Sequence, residues 1–385
     1  MDQGWIRSER VKAAFLSVER HRFVKGWFAL SVSEDMPVWT PIAIDPLNPQ
    51  LEHLEAIYSN QSLVGAVDGI TPIGSLSAPP LVADMLEYLA ADEGMNVLEI
   101  GTCSGYNAAL LAEIVSSDGT VHSMENRTDA ADLAALTLRQ LGYVQVHVHS
   151  SDGFFGDSQN APYDRMIATA GCSDLSPHWI EQLQPDGQMV IPLQYGQVDY
   201  LVLASRDTHR AGAATGKIVG KSNFMPIQGI LSWANPWGSW ILPGTATTTF
   251  QEQSLPEELP QDDTRKHPLE SLVHSDFYYF LTLSSRDLWY CNQGYGLADP
   301  MTKARAIVTN DSLRAVGPPG GEEAGRRLIE RLVEIYTQWE DVGCPGLGDY
   351  QIEFIPKHLA HSPLFTSITP RWVIERVFHL EMITL

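Results

Sequence analysis

The chain has 385 residues, 44% hydrophobic and 19% charged, which predicts a globular protein long enough for two domains and excludes a disordered one. Its 25 basic and 47 acidic residues give a formal net charge of −22, which argues against nucleic-acid phosphates and anionic membrane surfaces; a basic or neutral peptide suits it better. The four cysteines (Cys103, Cys172, Cys291 and Cys344) form no C-x-x-C pair, so no metal site is assigned and a reducing cytoplasm is expected.

The N-terminal MDQGWIRSERVKAAF lacks the apolar core of a signal peptide, and no run of about 18 apolar residues predicts a membrane span. Residues 8–23 carry Val11, Ala14, Phe15 and Val18 at helical spacing. Residues 79–91 predict a second helix, opened by Pro79 and Pro80. From residue 96 short apolar runs alternate with helical stretches. Strands are expected at 96–100, 120–125, 144–149, 163–170 and 188–193, with helices at 106–115, 128–141 and 177–183. This alternation predicts a parallel sheet with helices on both faces. Residues 200–207 and the segment around Phe224 are expected as later strands, an antiparallel edge. Residues 251–270 contain six acidic residues and three prolines and read as an exposed connector. Beyond it the sequence is folded again, with an amphipathic helix at 322–340 and strands near 350–355 and 372–383. The expected division is 1–243, a linker at 244–270, and an α+β extension at 271–385.

The central feature is VLEIGTCSGYNAALLA, residues 97–112. A strand enters a glycine turn that opens a helix, and the carboxyl end of the first strand of an open α/β sheet is the usual ligand crevice. Cys103 and Tyr106 stand where a dinucleotide fingerprint has its second and third glycines, so the pattern is E-x-G-x-x-x-G instead. Glu125 ends the next strand, where an acid can accept both ribose hydroxyls. Asp152–Gly153 follows the third. Any one of these alone is common; the ordered set points to a cofactor site. Cys103 reads as a small residue in a glycine position, with nothing beside it to activate a thiolate.

With further segments the chain resembles the protein-L-isoaspartate O-methyltransferase family over roughly residues 8–230. AAFLSVERHRFV (13–24) is similar to the family's N-terminal segment, and GSLSAPPLVADMLEYL (74–89) to its substrate loop. SDGFFG (151–156), APYDRMIATAG (161–171), HWIEQLQPDGQMVIPL (178–193) and NFMPIQG (223–229) follow in the family's order. The resemblance implies a class I S-adenosylmethionine-dependent methyltransferase, α/β and Rossmann-like, with a C-terminal α+β extension. It implies cofactor contacts from Glu99, Gly101, Thr102, Cys103, Ser104, Gly105, Asn107, Glu125, Asn126, Asp152, Gly153 and Thr169. It further implies substrate contacts from Ser75, Ser77, Ala78 and Pro79, with Ser77 touching the substrate carboxyl. Ser77 has a competing reading as a helix cap.

Cys103 replaces a usual glycine, Ser151 replaces the glycine before Asp-Gly, and about 155 residues are added after the family's ordinary end near residue 230. Peptide-modifying relatives of the family, which act on ribosomally synthesised precursors, also carry C-terminal extensions, and the length and organisation here resemble that group. The expectation is therefore methylation of an ordinary Asp in a cyclised precursor peptide, whose ester closes to an aspartimide; the competing expectation is isoaspartyl repair. A silent peptide-binding scaffold is disfavoured by the intact Gly101, Gly105, Glu125 and Asp152, and a nicotinamide enzyme by the missing glycines. A carboxylate with an ordinary pKa of about 3.9 is ionised at neutral pH, so no strong base is needed. The aromatics after residue 270 read mostly as core, with a subset available for a peptide groove.

Overall fold

The elements in chain order explain how a pocket comes to lie at one end of a sheet. The computed structural model describes residues 4–33, 36–195, 198–232, 251–253, 275–285, 287–291, 294–299, 301–308, 313–317, 321–360 and 370–385. Helix α1 (Glu9–Ser17) is capped by Ser8, whose hydroxyl accepts the Val11 amide at 3.2 Å. The expected single helix over 8–23 is broken: Val18 and Glu19 are extended, and a separate 3-10 turn follows at Arg20–Phe23. Next come β1 (Gly26–Ser33), β2 (Met36–Ala43), α2 (Leu51–Ile57), β3 (Leu63–Asp68) and β4 (Thr71–Leu76). These strands form an antiparallel sheet in the order β2-β1-β3-β4, which the predicted elements did not include. Strand β4 leads into α3 (Pro79–Leu89). Its prolines sit where no intrahelical N–H is required, and Val82, Met85, Leu86 and Leu89 form its buried face.

The alternating region folds as predicted: β5 (Asn96–Ile100), α4 (Tyr106–Val115), β6 (Thr120–Glu125), α5 (Thr128–Gln140), β7 (Val146–Ser150), β8 (Tyr163–Ala168), α6 (Pro177–Gln182), β9 (Leu183–Tyr195) and β10 (Val198–Arg206). Val97 of β5 pairs in parallel with Val121 of β6 and with Arg165 of β8, so strand order reverses around β5. Helix α4 is buried nearly all round, and α1 packs on it. The segment around Phe224 is not a strand. Strand β11 (Ala214–Ser222) precedes it and pairs with β10. Residues 224–227 run beside the end of β8 instead: the Gly171 amide donates to Met225 O and the Ile227 amide to Gly171 O, both at 2.9 Å, while Pro226 between them has no N–H to give a ladder.

The described residues divide into two units, one within Met1–Gln194, Asp199–Ile241 and Gln351–Ile383, the other within Tyr195–Val198, Leu242–Tyr350 and Thr384–Leu385. The second unit holds a five-stranded antiparallel sheet of β12 (Gln251–Gln253), β13 (Leu288–Cys291), β14 (Gly294–Ala298), β15 (Arg305–Val308) and β16 (Leu313–Gly317), in the order β12-β16-β15-β14-β13. Helix Glu322–Asp341 packs on this sheet and on helix Ser275–Ser284. Phe277, Tyr278, Tyr279, Phe280, Tyr336 and Trp339 are buried there, with Phe277 meeting both Tyr336 and Trp339 edge-on or tilted. Trp233, Trp237 and Trp240 lie outside the described residues, as does the expected linker 244–270 apart from β12.

The expected extension 271–385 is not one piece. Strand β17 (Gln351–Pro356) pairs with β11, Ala214 opposite Phe354, and carries β19 (His379–Thr384) and β18 (Trp372–Glu375) beyond it. The first unit's sheet thus has ten strands, β18-β19-β17-β11-β10-β9-β8-β5-β6-β7. Backbone pairing is the reason for the correction, because the exposed edge of β11 is satisfied by chain returning after residue 350. Buried polar groups fasten that return. Asp174 Oδ1 pairs with His379 Nδ1 at 3.0 Å, and its Oδ2 accepts the amides of Phe378 and His379 at 2.6 and 3.2 Å. Arg376 pairs with buried Glu381 and donates to the carbonyls of Ser173 and Gln194 at 2.9 and 3.1 Å.

Asp174→Ala should therefore strand four donors, the amides of Leu175, Phe378 and His379 and the His379 ring, in a dry site and cost about 3–5 kcal/mol, as loss of one partner from a buried pair does. Urea denaturation followed by circular dichroism measures this; a cost below about 1 kcal/mol would mean that the strand pairing alone holds the returning segment.

Candidate functional site

The pocket is built where β5 leaves the sheet. Gly101 has φ +103°, and a Cβ there would lie 2.5 Å from Thr169 Oγ1, so both conformation and space demand glycine. Thr169 donates its hydroxyl to Gly101 O at 2.6 Å, and the Gly101 amide donates to Met124 O at 2.8 Å. The turn is thereby tied to the strands on both sides of β5. Cys103 is also left-handed, at φ +48°, which accounts for a glycine being the usual occupant. Its amide donates to Glu125 Oε2 at 2.8 Å and its Sγ reaches Ser75 O at 3.3 Å. Burial pushes its thiol up to about 11, so it stays protonated and serves in packing.

Behind the turn lies a closed polar chain. Thr102 Oγ1 and Ser123 Oγ are 2.5 Å apart, Ser123 donates to Glu99, and Asn107 Nδ2 donates to Glu99 at 2.8 Å. Glu99 is fully buried, and desolvation raises it to about 7 against the opposing bonds from Ser123 and Asn107. Glu125 sits at the end of β6 and also accepts the Arg127 amide at 3.1 Å.

The opposite wall comes from the end of β4. Ser75 and Ser77 line the same pocket as Gly101, Thr102, Cys103 and Ser104. Ser77 is not the cap of α3: the cap position is Ala78, which makes no side-chain capping bond. Arg20 explains the N-terminal motif. Its buried guanidinium lies over the Tyr106 ring and donates to Ile57 O at 2.8 Å and Ser77 O at 2.9 Å, pinning the loop backbone.

Of the expected residues, Asn107, Glu125, Asn126, Gly153 and Thr169 also line the pocket. Glu99 lies behind it, Gly105 is the N-cap of α4, and Ala78 and Pro79 start α3, all outside the lining. Asp152 is turned to structural work. It accepts the amides of Phe154 at 2.9 Å and Ile230 at 3.1 Å, and a Cβ on Gly229 (φ +96°) would meet its carboxylate at 2.2 Å. Sequence reasoning missed the wall formed by Phe224–Gln228, although NFMPIQG carried the signal, and also Arg127 and Ala130. Buried Asp199 anchors that wall through Ser222 Oγ at 2.8 Å and the Phe224 amide at 3.0 Å, and desolvation raises it to about 6.

A switch-point crevice in a parallel α/β sheet, a left-handed glycine turn and an acid at the next strand end define a Rossmann-like enzyme that binds a nucleoside cofactor. The family model described as protein-L-isoaspartate(D-aspartate) O-methyltransferase (PCMT) matches residues 1–231. The protein-L-isoaspartate O-methyltransferase of Hyperthermus butylicus is 35% identical over 244 residues, 60% of this chain and 86% of its own. Protein-L-isoaspartate O-methyltransferase 2 of Archaeoglobus fulgidus is 41% identical over 175 residues, 45% of this chain and 77% of its own. A solved structure named protein-L-isoaspartate O-methyltransferase matches with TM-score 0.51 at 21% identity, over 90% of this chain and 92% of its own. At that identity the likeness is one of fold, but it reaches well past residue 231. The chain belongs to the protein-L-isoaspartate(D-aspartate) O-methyltransferase family and is an S-adenosylmethionine-dependent protein carboxyl O-methyltransferase.

Glu99 gives a pH prediction. Its folded pKa of about 7 lies above the ordinary 4.5, so the native state holds a proton that the unfolded chain has released. Its contribution is fully present below pH 4.5 and is lost as pH rises through about 7. Glu99→Gln keeps an acceptor for Asn107 and removes the titration. Thermal melts at pH 5 and pH 8 should show the variant gaining on the wild type at the higher pH, by on the order of 3 kcal/mol at most. An equal gap at both pH values would assign Glu99 an ordinary pKa.

Proposed function

We propose that the chain is a cytoplasmic enzyme that methylates the free carboxylate of L-isoaspartyl residues in proteins and peptides. The observation that carries this reading is the shared pocket: the Ser75–Ser77 loop faces the glycine turn across one cavity, and Ser77 has no capping duty. The matching relatives bear the name of that activity, and the paired motifs lie in the walls that meet.

S-adenosylmethionine supplies an electrophilic methyl group. The residues present fit it: Gly101 leaves a cradle that a Cβ would fill, and Glu125 offers a carboxylate at the strand end for ribose hydroxyls. Asn126, Gly153 and Thr169 line the rest of the pocket, and Thr102, Cys103 and Ser104, which line the glycine turn, would flank the methionine portion. On the substrate side, Arg20 holds the Ser77 backbone so that the hydroxyl can orient the carboxylate. That carboxylate is already ionised, so positioning and exclusion of water carry the reaction and no side chain need take a proton.

The finer reading, an ordinary Asp in a cyclised ribosomal precursor peptide, rests on the length of the C-terminal extension. That length does not discriminate, since the fold likeness to a structure named for the isoaspartyl activity spans nearly the whole chain. Phe277, Tyr278, Tyr279, Phe280, Tyr336 and Trp339 of the second unit are core residues, which leaves less apolar surface for a peptide groove.

Methyl incorporation followed by mass spectrometry should favour an isoaspartyl peptide over its normal Asp isomer by about 100-fold or more in kcat/KM, the scale reached when a site reads polar groups of its substrate. Ser77→Ala should lower turnover per folded molecule by about tenfold with cofactor affinity kept. Faster turnover of a cyclised peptide bearing normal Asp, with loss of methanol after methylation, would overturn the isoaspartyl reading in favour of peptide tailoring.

Glu125→Ala should weaken S-adenosylmethionine binding by about 1–3 kcal/mol, the range for hydrogen bonds to a charged acceptor. Calorimetric titration of a folded variant with unchanged affinity would remove Glu125 from the cofactor's contacts.

A further inference from the structure

Away from the cofactor pocket, three ligand-type atoms converge at the edge of the ten-stranded sheet. His122 lies on β6 and His149 on the edge strand β7. In the parallel register His122 is opposite His147 and Met124 opposite His149, so His122 and His149 are diagonal neighbours on one face. Asp157 arrives from the loop after β7, just beyond the 3-10 turn Gly153–Phe155. His122 Nδ1 is 3.3 Å from His149 Nε2 and 3.3 Å from Asp157 Oδ2, and His149 Nε2 is 3.5 Å from that same oxygen.

We propose that His122, His149 and Asp157 form a binding site for a divalent transition metal of the zinc type. The argument is geometric. Zinc takes imidazole nitrogen and carboxylate oxygen at about 2.0–2.2 Å in a tetrahedron, whose corners are then about 3.3–3.6 Å apart. The three observed separations already have that size. Two imidazoles and one carboxylate suit zinc rather than the hard cations, which prefer oxygen alone. The remaining tetrahedral position is left to water.

The surroundings are those of a built site. Asp157 is fixed from outside: its Oδ1 accepts the Gln159 amide at 3.1 Å and its Oδ2 accepts Asn160 Nδ2 at 2.7 Å. The Tyr163 hydroxyl donates to Asp157 O at 2.8 Å, and its ring meets His122 edge-on. Such outer contacts hold ligands in place before the metal arrives. The side chains of His122 and Asp157 are 7% and 9% exposed, whereas His149 is 35% exposed and gives an ion a way in. None of the three lines the cofactor pocket, so the site is separate from methyl transfer. A metal there would join β6, the edge strand β7 and the loop carrying Asp152 and Gly153. Its role is to pin that loop, and the proposal stands whether or not the isoaspartyl reading does.

The test uses the full chain without an affinity tag, stripped with a chelator and titrated with Zn(II) in a calorimeter and with Co(II) in a spectrophotometer. Binding of one ion per chain is expected, with the intense d–d absorption of a tetrahedral Co(II) centre and a rise in melting temperature on adding Zn(II). His149→Ala, at the most exposed ligand, should weaken binding by about 100-fold or more and abolish the melting shift. Asp157→Asn should do the same. Circular dichroism establishes that both variants are folded. No uptake of either ion by the wild type, or equal uptake by wild type and both folded variants, overturns the proposal and leaves the cluster as a set of polar contacts between two histidines and an aspartate.

Discussion

The chain's left-handed passage from β5 into α4 is the constraint on which the site depends. Gly101 and Cys103 both have positive φ, a conformation that strands and helices do not use. Three neighbours enforce it: Thr169 from β8's end, the Met124 carbonyl from β6, and Glu125 on the Cys103 amide. Because these come from strands flanking β5, the turn is a product of the sheet as much as of its own sequence. The polar chain through Thr102, Ser123, Glu99 and Asn107 then fixes its rear. A rigid turn of this kind lets the backbone approach a ligand without paying reorganisation at each encounter.

The same logic extends to the substrate wall. The Ser75–Ser77 loop joins a strand of the small antiparallel sheet to α3, and a buried arginine from the N-terminal segment grips its backbone. Two regions of chain some 57 residues apart thus set one serine. The wall at Phe224–Gln228 is set similarly, by Asp199 at one end and by Asp152 beyond the other. Carboxylates that looked like ligands or surface charge are, in several cases, the pegs on which loops hang. Asp152 is the clearest example, since each of its oxygens accepts a backbone amide and it stands outside the pocket lining.

The C-terminal third has two structural fates. Leu242–Tyr350 contributes a separate unit with its own aromatic core, while Gln351–Ile383 returns to widen the first unit's sheet. The returning segment covers the β11 edge and brings Arg376 to the Ser173 and Gln194 carbonyls and His379 to buried Asp174. Part of what length alone assigns to an accessory domain is therefore part of the catalytic unit's framework.

The alternation of apolar runs and helices from residue 96, the E-x-G-x-x-x-G spacing and the S-A-P segment were legible in sequence because each is a local pattern: a hydrophobic period, a glycine a turn requires, a proline a helix start tolerates. They determined the α/β class, the cofactor turn and the serine wall. The β1–β2 hairpin of the small antiparallel sheet lacks such a marker, since the Ser33–Met36 connection carries no glycine or asparagine, whereas the β3–β4 hairpin has one in Asp68–Gly69 that the predicted elements passed over. Only the tertiary structure decided that Ser77 is not a cap, that Asp152 holds a loop, that His122 meets His149 and Asp157, and that β17 seeks β11. Each depends on contacts between distant residues, whose partners are chosen by strand pairing and burial rather than by sequence neighbours.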